Sequence, residues 1–230
     1  MNARAGSELQ ERLQRVRPPS SNGAGAVPAT DDLDWFLFQS FPDCAVPAET
    51  FAELVPVYER ALRAGAYFDH ELLFVRLIEL HELVGEAGVR AVARAAVERT
   101  LSGGFEPAEG IAALRFAMRT LPETDPFLDD VLTRPDLEGF RFRWTVDFVL
   151  DERGESEYLA VSYLRDDDPA TAPLMKNFAV PAARREKLAA FFAPDACRQR
   201  LQEGWAAVTR PEERDALAES LKARLPGFAL

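Results

Sequence analysis

The chain is poor in the residues that most often carry chemistry. Among 230 residues there are two histidines, two cysteines and three methionines. Lysine occurs only at Lys176, Lys187 and Lys222, although lysine and arginine together number 27. Cys44 and Cys197 stand far apart with no CxxC spacing, which excludes a disulfide framework and a thiolate zinc site; they read as free thiols of a reducing cytoplasm. No apolar run approaches the ~20 residues of a membrane helix, and the first residues, MNARAGSELQERLQRV, lack the apolar core of a secretory signal. No GxGxxG follows a strand pattern, and there is no P-loop, GxSxG elbow or kinase set. Gly103 and Gly104 follow a helical pattern and read as a helix stop. The surplus of arginine over lysine and the frequent alanine suggest a high-GC bacterial coding sequence.

Acidic charge is what the chain has in quantity. Its net charge is −11; residues 1–30 carry +2 and the remainder −13. Such a body repels phosphate backbones, so nucleic acid is not an expected partner, while a basic protein is.

Residues 1–30 read as a disordered tether, with a short helix over 7–16 and then Pro, Ser, Gly and Ala that cannot bury a core. Thr30-Asp31-Asp32 offers cap chemistry for a helix bearing Trp35, Phe36, Phe38 and Phe41. This aromatic cluster is either core or a docking patch, and Trp35, Phe36 and Phe38 are candidate contact residues. A helix from Pro47 to Gly65 follows, with Pro56 expected to kink or split it.

The stretch Phe68–Val84 is the most apolar helix-length run and holds both histidines. On a 100° wheel, His70 and His81 share the arc of Leu73, Phe74, Leu77 and Ile78, about 16 Å apart along one axis. Neither has a Glu, Asp, His or Cys at three or four residues' distance, so no helical metal pair forms. They read as core histidines, and as the weak catalytic candidates if the protein has a pocket. Further helices are expected over 89–101, 107–121 and 127–132.

From Gly139 the pattern changes. Phe140, Phe142, Trp144, Val146, Phe148 and Leu150 alternate with Arg141, Arg143, Thr145 and Asp147, which predicts a strand with one apolar face. With a turn over 151–156 and a second strand over 157–165, Trp144 would oppose Tyr163 and Val146 would oppose Val161. Residues 174–180 are available as a third strand. The open face makes Arg141, Arg143 and Asp147 candidate interaction residues. Asp166, Asp167 and Asp168 are consecutive, so their side chains diverge, and they read as a solvated loop. Three helices close the chain.

The expected class is therefore α+β, predominantly helical: an irregular bundle over 31–135, then the hairpin with helices over 136–230. The expected function is non-catalytic binding of another protein in the cytoplasm, as an adaptor, a regulatory subunit or an acidic inhibitor of a basic partner. No cofactor, metal or membrane is implied. The alternative is an enzyme or small-ligand binder with a pocket near the histidine-bearing helix.

Overall fold

A computed structural model describes residues 3–16, 29–40, 46–151, 158–208, 211–225 and 227–228. The proposed linker after Val16 and Cys44 lie outside the described residues. The helices are α1 (Ala3–Val16), α2 (Thr30–Phe38), α3 (Ala48–Arg63), α4 (His70–Glu79), α5 (His81–Leu101), α6 (Pro107–Thr120), α7 (Thr124–Thr133), α8 (Glu138–Leu150), α9 (Ala172–Met175), α10 (Ala182–Phe191), α11 (Pro194–Val208) and α12 (Pro211–Arg224). At 77% helix and with no strand among the described residues, the protein is all-α. This corrects the expected α+β class with its hairpin. The chain forms two compact units, Met1–Gly104 and Phe105–Leu230.

In the first unit α3 and α5 form the most extensive pairing. Phe51, Leu54, Val55, Tyr58 and Leu62 of α3 and Val89, Val92, Ala93, Ala96 and Val97 of α5 are all buried. Gly88 lets the two approach: a Cβ there would lie 3.5 Å from Val55 Cγ1 and only 2.9 Å from Val84 Cγ1. α3 runs through Pro56, which faces solvent. The Tyr58 hydroxyl donates to the Leu33 carbonyl at 2.8 Å and ties α3 to α2.

The run Phe68–Val84 is not one helix. The Asp69 side chain caps α4 by accepting from the Leu72 N–H at 2.8 Å, as a short acid before an apolar run should. The helix then ends at Leu80, whose φ of −104° and ψ of 20° are not helical. Each histidine becomes the first residue of a different helix, so the shared arc disappears. A break falls at Gly85, at φ 76° and ψ 153° inside α5. Nothing lies within 4 Å of a Cβ built there, so Gly85→Ala meets only the backbone penalty of positive φ. At ψ 153° this is a region open essentially to glycine alone, so the variant should lose about 1–3 kcal/mol, read as a fall in Tm of roughly 2–4 °C per kcal/mol; an unchanged or raised Tm would contradict the assignment.

The second unit is built around the segment expected to be a strand. α8 packs against α6, α11 and α12, so side chains on several of its sides find apolar neighbours. Phe142 meets Trp205, with ring centroids 6.3 Å apart. Trp144 packs against both Phe191 and Phe192, at 5.4 and 5.2 Å. Phe148 stacks on Phe192 at 4.0 Å. Alternation is compatible with a helix when neighbours surround it, because a buried helix need not keep a polar face. The second expected strand is a compact turn, in which Val161 and Leu164 exchange backbone hydrogen bonds of 3.3 and 2.9 Å.

Arginines recur at helix C-termini. Arg99 donates to the carbonyls of Leu62, Gly65 and Ala66 at the end of α3. Arg141 donates to Val131 and Arg134 at the end of α7, and Arg184 to Met118 and Pro122 at the end of α6. Arg76 reaches the Ser40 carbonyl after α2, and Arg200 the Phe191 carbonyl ending α10. Carbonyls at a helix end have no intrahelical donor and concentrate the negative end of the macrodipole. A planar guanidinium satisfies two or three at once, which an ammonium on one point cannot do as well. The preference for arginine over lysine therefore has a structural use here.

Candidate functional site

The cavity with the richest chemistry lies in the second unit, where the start of α6 runs beside the end of α8. Its volume is about 700 Å³, within the range of small-molecule sites. On α8 the spacing 143, 146, 147, 150 places Arg143, Val146, Asp147 and Leu150 on one stripe. On α6, Pro107, Ala108 and Ile111 face the same space, and Glu106 and Asp151 close its ends. Ile111 and Val146 are buried and make the floor, while Glu106, Arg143 and Asp147 are exposed on the rim.

The local sequence explains the geometry. Pro107 starts α6, where its missing N–H costs nothing. The Glu109 carboxylate accepts from the Glu106 N–H at 3.1 Å, so the first turn of α6 supplies its own anion. Asp147 is oriented by Arg115, whose Nη2 donates to Oδ2 at 3.2 Å. Arg115 is itself held over the Tyr158 ring at 4.3 Å. Burial pushes the Tyr158 phenol far above its ordinary range, so it stays protonated. Arg143 has no ion pair with any described residue.

The electrostatics of α8 run against helix stability. Its last turn contains no basic residue, although cations belong at that end. Asp147 and Asp151 stand there instead. Glu106, Asp147 and Asp151 line the groove with Arg143, and Asp147 is also paired with Arg115, so around the apolar floor carboxylates outnumber guanidinium groups three to two, a balance that suits an ammonium or guanidinium carried on an apolar body.

The other residues singled out from the sequence lie elsewhere. Arg141 caps α7. Phe36 is fully buried, Trp35 is half-buried beneath Arg12, whose guanidinium lies 4.8 Å from the ring centroid, and Phe38 is 53% exposed. His70 is buried against Phe68 at 4.4 Å, with Nε2 donating to the Ala66 carbonyl at 3.3 Å. His81 donates from Nδ1 to the Ile78 carbonyl at 2.9 Å. Both histidines lie in the first unit, and neither lines this cavity. Asp166 is paired with Arg119 and Arg185, and Asp168 Oδ1 accepts from the Ala170 N–H at 2.9 Å. Among the described residues no three of His, Cys, Asp and Glu gather as a metal site. Cys197 is free and buried, and burial raises its thiol above the usual range.

Sequence reasoning reached Arg143 and Asp147 but missed Glu106, Ile111, Val146, Leu150 and Asp151. The signal was present as the 143–146–147–150 spacing, and a strand assignment conceals it. No family model, curated protein or solved structure matches this chain. No helix among the described residues is long and apolar enough to cross a membrane.

Proposed function

We propose that the protein binds another protein without catalysing a reaction, through the groove between α6 and α8. The occupant is a basic amphipathic segment. Its apolar side chains rest on Ile111, Val146 and Leu150, and its lysines or arginines meet Glu106, Asp147 and Asp151. The observation that carries this reading is the acidic end of α8, whose last turn has no basic residue of its own, above an apolar floor. A cytoplasmic adaptor, regulatory subunit or inhibitor of a basic partner would each use such a surface, and the net charge of −11 would speed the encounter.

Fluorescence anisotropy with a labelled leucine–lysine amphipathic peptide provides the test. Exposed ion pairs contribute about 0.2–1 kcal/mol each, so Asp147→Asn with Asp151→Asn should weaken binding roughly tenfold at low salt. The difference should vanish near molar salt, where screening reaches contact distance. Equal affinity of variant and wild type, or no affinity of the wild type, would sink the reading.

A further inference from the structure

The first unit already carries a basic amphipathic helix seated on an acidic partner. In α1, Leu9, Arg12, Leu13 and Val16 fall at i, i+3, i+4 and i+7, and the three apolar residues are buried. Arg12 Nη1 donates to Asp32 Oδ1 at 2.8 Å. Arg15 adds two bonds of 2.8 Å, one to each oxygen of the same carboxylate. Asp32 is buried on α2, and its carboxyl is held below the usual range chiefly by the Arg15 hydrogen bond. Arg12 also covers Trp35.

Two features make this contact exchangeable. A helix of 14 residues is marginal by itself, so α1 keeps its form only while docked. Thirteen residues, 17–29, join it to α2, enough to span roughly 43–47 Å when extended. The arm can therefore leave without any movement of α2. What it uncovers is specific: the surface on which Leu9, Leu13 and Val16 are buried, the Trp35 ring, and one carboxylate that has lost both guanidinium partners. That carboxylate, then open to water and still ionised, is available to pair with another guanidinium.

We propose that α1 is a releasable occupant of a docking face on α2, and that an arginine-bearing amphipathic helix of another protein takes its place. The incoming helix repeats the pattern of the arm, Leu-x-x-Arg-Leu-x-Arg-Val, with both arginines on Asp32 and the first of them also over Trp35. While docked, the arm keeps the face closed. This inference is independent of the α6–α8 groove.

The probe is a labelled peptide of residues 3–16 added to the full-length chain. In wild type the tethered arm competes at an effective concentration of about millimolar. Arg12→Glu with Arg15→Glu should release the arm and tighten peptide binding about tenfold or more. Adding Asp32→Asn should abolish that gain. Peptide binding that is absent in the released variant, or equal in both proteins, overturns the proposal. If circular dichroism shows the variant unfolded, hydrogen exchange on the wild type decides. The amides of α1 should then exchange at least about a hundredfold faster than those of α3, as a local opening requires; equal rates would refute it. A wild-type dimer that becomes a monomer in the released variant would place the arm on a second copy and overturn the arrangement within one chain.

Discussion

Replacing Arg119 with leucine should cost about 3–5 kcal/mol of stability, the range for breaking a buried charged network from one side. The side chain is fully buried and uses its whole fork. Nε donates to the Leu159 carbonyl at 3.0 Å, and Nη1 donates to the Phe178 carbonyl and to Asp166 Oδ1, both at 3.0 Å. Nη2 completes the pair with Asp166 Oδ2 at 3.2 Å. The partners lie 40 to 59 residues further along the chain, in segments outside any long helix. Arg119 thus anchors to α6 a stretch with little regular structure of its own. Leucine fills part of the space but leaves the carbonyl of buried Leu159 without this donor, at about 1–3 kcal/mol.

Asp166→Asn removes the counter-charge of the fully buried Arg119 but leaves its carbonyl acceptors, and should cost about 1–3 kcal/mol. Arg119→Lys keeps the charge without the fork and should recover less than half of the loss. Urea unfolding of the three variants measures these differences, and a loss below about 1 kcal/mol for Arg119→Leu would refute the anchoring role.

Trp144→Ala should be equally severe, at about 3–5 kcal/mol, as for other buried aromatic truncations. Trp144 is completely buried, and its indole N–H meets no acceptor among the described residues. Phenylalanine would therefore lose volume but no hydrogen bond, and Trp144→Phe should cost only about 1–1.5 kcal/mol. A double-mutant cycle between Trp144 and Phe192 should show a coupling of about 0.5–1.5 kcal/mol, the value for an edge-to-face pair. Tyr163, which would oppose Trp144 in a hairpin, is 45% exposed. Trp144→Ala and Tyr163→Ala should then be additive within about 0.5 kcal/mol. A strong Trp144–Tyr163 coupling would restore the hairpin and sink the helical assignment of α8.

The helical surroundings of Trp144 show where local pattern stops being informative. From Phe140 to Leu150 the alternation is broken only at Val149, and a strand with one apolar face is its simplest reading. A strand needs a partner whose backbone groups pair with it, whereas a helix satisfies its backbone internally and asks only for apolar neighbours. Phe191, Phe192 and Trp205 supply them from elements some fifty residues away. The same misreading hid the groove. As a strand, Arg141, Arg143 and Asp147 share one open face. As a helix, Arg143 and Asp147 stay together at i and i+4, while Arg141 turns away to cap α7. The pairing of Arg115 with Asp147, and the presence of Glu106 in the same groove as the end of α8, depend on how α6 lies against α8, which no local window contains.

Local chemistry by itself determined where many helices begin and end. Asp69 caps α4, Pro107 opens α6, Gly85 interrupts α5, and Gly103 follows its end with φ 71°. Each effect acts within a few residues, through a side-chain hydrogen bond or a restriction on φ, and so it can be read from a short stretch. The acidic balance of the chain is equally legible. Tertiary structure alone decided that Phe140–Leu150 is a helix, that Arg119 and Arg184 spend their charge on distant carbonyls, and that Asp147 and Asp151 stand over an apolar floor. Burial and the satisfaction of buried polar groups depend on which remote elements arrive, and that is a property of the packed chain.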